Sequence, residues 1–350
     1  MSYIMAIDQG STKTDIVIAD NAGNIKGYAN DRDLMASGKI DTYPYYKKDR
    51  RVVRVVRIRH AAEKALADAG LKLSDIQSIC ASCTGADWDY EYDLWRKNLQ
   101  DDLGVKQVSV YNDCIGALRG GTEMQGKDCA IICLGTGANC AVKNREGKEY
   151  IYAYYLRGEH QGSGAIGWFV FDAVYNAESG FGPPTLLTKL LLEKTGYKSV
   201  DEILMHITAG RHEDEDQWEP TYQDYTTLLF QAIKMGDKVA LNYLKWLCKD
   251  LARYVIAASQ KLNIQDREIT VVLSGGVAKN GALMSELLEK ELKEHLPKTK
   301  CVNARLEPVA GALLLDYDRL YPDGIPKNVM ERFEQSCTER NLYRSFSMES

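Results

Sequence analysis

The chain has 350 residues, 45 % hydrophobic and 27 % charged, ordinary values for a globular protein long enough for two domains. Its 44 basic and 49 acidic side chains leave a net charge of −5, too mild to point to nucleic acid or an anionic membrane as a partner. No apolar run approaches the roughly 20 residues that span a bilayer, and MSYIMAIDQG lacks the pattern of a signal peptide, so the expected location is the cytoplasm.

In chain order, YIMAI at 3–7 is a short apolar strand that runs into Asp8. A polar glycine loop, QGSTKT, leads to a second strand at 15–20, and the turn NAGN returns the chain into a third near 25–28. Residues 47–59 hold seven basic side chains interleaved with five Val or Ile, which reads as an amphipathic element with a solvated face. Residues 60–69 form a helix closed by Gly70. Strands follow at 77–83 and 107–111 with a helix at about 88–103 between them, and 114–119 reads as a further helix. From 129 the opening plan repeats: CAIICL is a strand, GTG a tight loop, ANCAVK a strand, NREG a turn and KEYIYA a third strand. Repetition of one supersecondary unit predicts a duplicated protein with one hairpin per half. The stretch 211–219 is an acidic loop, and 237–262 is the clearest helix, with apolar residues at three- and four-residue spacing. Strand 269–273 then meets SGGVAKNG, and a helix follows at 282–294. Alternating strands and helices predict an α/β fold with ligands at strand C-termini.

The nine cysteines form no dense framework, which suits a reducing compartment. Cys80 and Cys83 make a C-x-x-C, but it ends a predicted strand and has no partner motif, so both read as small apolar residues.

Asp8-Gln9-Gly10-Ser11-Thr12-Lys13-Thr14 offers what a phosphate needs: approachable backbone N–H groups, hydroxyls, a cation and a carboxylate able to hold Mg²⁺. Gly135-Thr136-Gly137, with Asn139 just beyond, repeats the glycine-plus-hydroxyl chemistry. Two such loops in matching positions can pinch one polyphosphate from both sides. Ser274-Gly275-Gly276, followed by Lys279, leaves room for adenine and ribose. The run at 274–276 is not the G-x-G-x-x-G fingerprint and no G-x-x-x-x-G-K-[ST] occurs, so neither dinucleotide-binding dehydrogenases nor P-loop NTPases fit. Asp113 ends a strand between the loops and is the candidate general base, although Asn112 or Asp113 could equally cap the following helix.

The order D-x-G-x-T-K-T, N-D-x-x-x-A-L, G-T-G-x-N, G-P-P-T-L-L, S-G-G-V and P-V-A-G-A at 308–312 resembles the BadF/BadG/BcrA/BcrD-type ATPase family, within it the N-acetylglucosamine kinase-like proteins of the actin, hexokinase and Hsp70 superfamily. The likeness runs from about residue 3 to 315. It implies two ribonuclease-H-like domains, 1–118 and 119–327, with a C-terminal helix at about 328–350 packing back on the first. It further implies ATP and Mg²⁺ in the cleft, and a cytoplasmic homodimer. Asp8 would lie near the metal; Gly10, Ser11, Thr12, Lys13, Gly135, Thr136 and Gly137 around the phosphates; Gly275, Gly276 and Lys279 near the adenosine. Asp113 would deprotonate a sugar hydroxyl.

The acceptor site departs from the family pattern. Where G-D-E-G-S is usual the chain has Glu159-His160-Gln161-Gly162-Ser163, so His160 replaces an aspartate and Gln161 a glutamate. Tyr154 stands where a tryptophan packs on the sugar, and MASGKIDTY at 35–43 offers no clear match for a sugar-binding asparagine. Asp113, Asn139, Tyr154, His160 and Gln161 are therefore the expected acceptor contacts, for a sugar or amino sugar. Two alternatives stand beside it: an ATPase activator of a radical dehydratase, which the same broad family includes, and a nonenzymatic nucleotide switch or a kinase relative that lost its substrate.

Overall fold

The computed structural model describes residues 2–37, 50–209, 220–280 and 282–344. The acidic stretch 211–219, positions 38–43 of the MASGKIDTY segment and the start of the basic stretch at 47–49 lie outside them.

The first sheet opens as a meander of β1 (Tyr3–Gln9), β2 (Thr14–Asp20) and β3 (Ile25–Asn30). After α1 (Arg32–Ala36) and α2 (Arg50–Ala69) come β4 (Ile76–Cys83), α3 (Asp89–Leu103), β5 (Gln107–Asn112) and α4 (Asp113–Arg119). The second sheet repeats this with β6 (Asp128–Leu134), β7 (Ala138–Lys143) and β8 (Glu149–Ile151). Five helices follow: α5 (Gly162–Glu178), α6 (Leu187–Thr195), α7 (Val200–Ala209), α8 (Thr226–Lys234) and α9 (Lys238–Lys261). Then come β9 (Ile269–Ser274), α10 (Ala282–Lys293) and β10 (Thr299–Asn303), and last α11 (Pro308–Leu320) and α12 (Lys327–Glu339).

The strand orders are β3-β2-β1-β4-β5 and β8-β7-β6-β9-β10. In each sheet the first three strands are antiparallel, and the last two join the first strand in parallel. The predicted repeat is thus a repeat of the whole five-stranded topology. It places the two glycine loops, β1–β2 and β6–β7, at equivalent ends of equivalent hairpins.

Alternation along the central strands builds a core on each face of a sheet. Met5 and Ile7 face Ile58, Ala62, Trp95 and Leu99 of α2 and α3. Ile4 and Ala6 face Val309, Leu313 and Tyr317 of α11. In the second sheet Ala130, Ile132 and Leu134 face the helical side, where α9 lays down Ala240, Leu244, Leu247, Leu251 and Val255. The N-terminus of α9 is capped by Asp237, whose carboxylate accepts from the Ala240 N–H at 2.8 Å.

Helix α11, grouped by sequence with the second unit, packs on the first sheet, and so does α12, whose Phe333 and Cys337 join the same cluster. The C-terminal helix ends at Glu339 rather than continuing to 350. The chain beyond it makes an antiparallel bridge between Tyr343 and Leu306. Helices α4 and α11, which carry the chain out of the first sheet and back to it, meet almost backbone to backbone. A Cβ on Gly311 would lie 1.9 Å from the Gly116 carbonyl oxygen, which explains the glycine in P-V-A-G-A. No helix among the described residues is long and apolar enough to cross a membrane.

Candidate active site

The first glycine loop leaves β1 just after Asp8. Its turn is closed by a bond from the Gly10 N–H to the Lys13 carbonyl, 2.9 Å. A buried ion pair grips it from behind. Asp31 accepts from the Thr14 N–H at 2.8 Å and from Arg57 Nε at 2.5 Å, while Arg57 Nη1 donates to the Ser11 carbonyl at 3.1 Å. Arg57 and Asp31 are 4 % and 0 % exposed, so this pair is part of the interior and not of a solvated face.

The second loop closes in the same way, the Gly135 N–H donating to the Gly137 carbonyl at 2.9 Å. Two backbone segments press on it. Gly162, at φ +67°, brings the start of α5 so close that a Cβ would lie 2.3 Å from the Gly135 and Gly137 carbonyl oxygens, and the Ser163 N–H donates to Gly135 at 2.8 Å. On the other side Gly275, at φ +100°, would place a Cβ 2.1 Å from the Leu134 carbonyl oxygen. Gly275 is thus required by backbone conformation and close approach, whatever it also offers a ligand.

Between the loops, Asn112 caps α4: its Oδ1 accepts from the Cys114 N–H at 3.0 Å. The Asp113 carboxylate, which also draws on the backbone N–H groups of Asp113 and Cys114, lines the cleft, where Thr84 Oγ1 donates to it at 2.5 Å. The Thr84 N–H is bonded to the Gln9 carbonyl at 2.9 Å, so the residue that orients Asp113 is itself tied to the first loop.

Both loops, Asp8, Asp113 and Gly275 line one cleft of about 350 Å³. Its charge is unbalanced. Asp8 is buried, which pushes its carboxyl up to about 8; Asp15 and Asp113 add to the rise, and Lys13 and Arg344 oppose it. Burial raises Asp113 too, against the hydrogen bond from Thr84. It takes Asp87, at the same cleft, up to about 6, with Asp113 and Glu91 adding. Burial would lower the Lys13 ammonium, but Asp15 (2.5 Å) and Glu307 (3.5 Å) outweigh it and hold it above its ordinary value.

The acceptor-side residues separate into two groups. Asn139 and Tyr154 line the cleft. Asn139 Oδ1 accepts from the Ala153 N–H at 3.0 Å, fixing a residue at φ +44° that presents Tyr154. Tyr154 stacks on Trp88 of the other lobe, ring centroids 6.4 Å apart and planes within 10°. Gln161 lines an adjoining hollow with Ser11, Thr136 and Trp168. His160 does not reach either space. It is 1 % exposed, paired through Nε2 with Asp250, and enclosed by Trp246 and Tyr254. The imidazole that replaces an acidic residue has turned inward, because Asp250 on α9 supplies a buried charge to meet it. Gly276 and Lys279 fall outside the cleft lining, and Lys279 lies 3.5 Å from Glu307.

Sequence reading missed Arg57, Asp31, Thr84, Asp87, Trp88, Glu307 and Arg344. A signal existed for the Thr84 loop: Gly85, at φ +74°, follows β4 as Gly275 follows β9, so the repeat extended one strand further would have marked it. Cys80 and Cys83 are both fully buried in β4, and burial holds their thiols well above the ordinary range.

No family model matches the chain. Among curated proteins it is 26 % identical over 323 residues to the N-acetyl-D-glucosamine kinase of Dictyostelium discoideum, spanning 89 % of this chain and 96 % of that one. It is 23 % identical over 319 residues to the N-acetylmuramic acid/N-acetylglucosamine kinase of Clostridium acetobutylicum, spanning 90 % and 98 %. Among solved structures, a candidate N-acetylglucosamine kinase from Chromobacterium violaceum superposes with a TM-score of 0.62 at 19 % identity, over 89 % of this chain and 98 % of that one. Over about nine-tenths of its length the chain is thus similar in sequence to N-acetylglucosamine kinases, and it shares the fold of solved sugar-kinase structures.

Proposed function

We propose that the protein is an ATP-dependent kinase that transfers the γ-phosphoryl group to a hydroxyl of a sugar or amino sugar, with Asp113 as general base. The observation that carries this is the cleft itself. Two equivalent glycine loops face it from two equivalent hairpins, with a Thr84-oriented carboxylate between them. The names of the curated relatives support the same reaction class.

Gly10, Ser11, Thr12 and Lys13 on one side, and Gly135, Thr136 and Gly137 on the other, would hold the phosphates. Gly275 would border the adenosine. Asp8 fits a divalent cation: burial, with Asp15 and Asp113 close by, holds its proton to about pH 8, and a cation beside it would favour the ionised carboxylate. Among the described residues no three His, Cys, Asp or Glu side chains form a metal cage, and Mg²⁺ typically needs only one or two carboxylates plus substrate phosphates. When bound, the ion would supply charge neutralisation of the phosphate oxygens. Asp113, made more basic by burial and oriented by Thr84, would take the acceptor hydroxyl's proton. Asn139, Tyr154 and Trp88 would border the sugar, and Gln161 the adjoining hollow. With His160 buried, the acidic sugar-binding pair of the family has no counterpart there, so the acceptor's identity rests on a different contact set. We place this activity in the cytoplasm, in a homodimer that size-exclusion chromatography with light scattering would verify.

Asp113→Asn should lower turnover by about 10²- to 10⁴-fold while leaving ATP affinity nearly intact; unchanged turnover would remove Asp113 from the role. Incubation with Mg-ATP and a panel of hexoses, amino sugars and N-acetylated sugars should show ADP release dependent on one class. Release with none of them would favour the activator or switch readings.

A further inference from the structure

Three cations from three separate parts of the chain converge on one carboxylate beside the phosphate loops. Glu307, immediately before α11, lies 3.5 Å from Lys13 Nζ, 3.5 Å from Lys279 Nζ and 3.6 Å from Arg344 Nε. Lys13 comes from the first glycine loop, Lys279 from the turn after β9, and Arg344 from the segment that follows α12. Against the cost of burial, Arg344, Lys13 and Lys279 hold the Glu307 carboxyl below its ordinary range, so it stays ionised among them.

Arg344 is the least explained of the three. Its side chain is 6 % exposed, yet it lines the same cleft as Asp8, Gly135 and Thr136. Nη1 donates to Ser274 Oγ at 2.8 Å, whereas the buried Nε has no hydrogen-bond acceptor. A buried guanidinium N–H left without an acceptor is costly, and a ligand oxygen in the cleft would remove that cost. The placement does not depend on the side chain. The Arg344 N–H bonds to the Arg305 carbonyl at 2.9 Å, the Glu307 N–H bonds to Leu342 at 2.8 Å, and Tyr343 bridges to Leu306. Backbone pairing thus delivers the arginine into the cleft.

We propose that Arg344, carried in by the C-terminal segment, binds the polyphosphate of the nucleotide, with Glu307 holding its charge until phosphate oxygens take that place. The inference rests on the kinase reading given above and adds a phosphate ligand from outside both glycine loops.

The test is titration calorimetry of the full chain with adenosine, AMP, ADP and ATP, for the wild type, Arg344→Ala and Arg344→Lys, each checked for an unchanged melting temperature. Arg344→Ala should raise the Kd for ATP roughly 10- to 100-fold, the range expected for one charge-assisted contact, with a smaller effect on AMP and none on adenosine. Arg344→Lys should recover part of the loss and keep the salt dependence of ATP binding, which Arg344→Ala should weaken. Equal losses for adenosine and ATP, or no loss at all, would overturn the inference while the kinase reading stands. A wild-type protein that binds no ATP would overturn both. If Arg344→Ala melts early, Arg344→Lys alone decides, by whether its affinity pattern shifts with phosphate number.

Discussion

Asp8 is a carboxyl that releases its proton late, because it is buried and because Asp15 and Asp113 stand close by. Unfolded, it would titrate near 3.8; folded, near 8. A group whose folded pKa is raised gives stability that is complete below its unfolded value and is lost as pH rises through the folded one. Without a divalent cation the protein should therefore lose stability between about pH 4 and 8. Asp8→Asn should flatten part of that slope, leaving the parts due to Asp113 and Asp87, which are raised as well. Melting temperatures at pH 5 and pH 8, in chelator, give the comparison; parallel losses in wild type and variant would remove Asp8 as the cause. At this scale the sequence was legible where chemistry is local. Asp8, Gly10 and Lys13 lie within six positions of one another and can be read as one loop. Arg57 could not be read so: four of its neighbours from 50 to 59 are also arginine, and it is packing against Asp31 that marks Arg57 as buried. His160 misled for the same reason, since its partner Asp250 is 90 residues away.

The elements tell a similar story. The hairpins were readable because period-two patterning and turn residues agree, and α9 because its apolar stripe spans many turns. Helix α5 was not: GSGAIGWFVFDAVYNAE is apolar nearly all round and opens with three glycines or serines. Strand β10, TKCVN, is a polar, mostly half-exposed edge that carries little pattern. Glycine positions are where elements meet ligands and each other, and the pair after β9 separates the two needs. Gly275→Ala would put a methyl 2.1 Å from the Leu134 carbonyl at a positive φ, so it should cost more than about 2 kcal/mol and displace the second glycine loop. A Cβ on Gly276 would meet nothing within 4 Å, so Gly276→Ala should melt like wild type. Chemical denaturation together with ATP titration checks both; a Gly276→Ala protein with normal melting and lost ATP affinity would make that glycine a ligand contact. Equal stability of the two variants would contradict the packing described for Gly275.

As a whole the molecule is two copies of one topology joined by two passages of chain, α4 going out and the segment before α11 coming back. The phosphate loops belong to different lobes, and so do Trp88 and Tyr154, so full contact with one nucleotide and one acceptor requires both lobes together. Small-angle scattering should therefore show a smaller radius of gyration when a nonhydrolysable ATP analogue and an acceptor are present than with neither. An unchanged radius would mean that the cleft is preformed. The overall plan was legible because duplication doubles every signal; the return of α11 and α12 to the first sheet was not, since an apolar helix face does not say which sheet it covers. The crossing of α4 and α11 through Gly116 and Gly311 has one more consequence. Two rods that touch without side chains between them turn about their contact, as scissors turn about a rivet. Asp113 is the first residue of one of those rods. In any swing about that contact a residue would be displaced in proportion to its distance from the crossing, and Asp113, three positions from Gly116, would be displaced little.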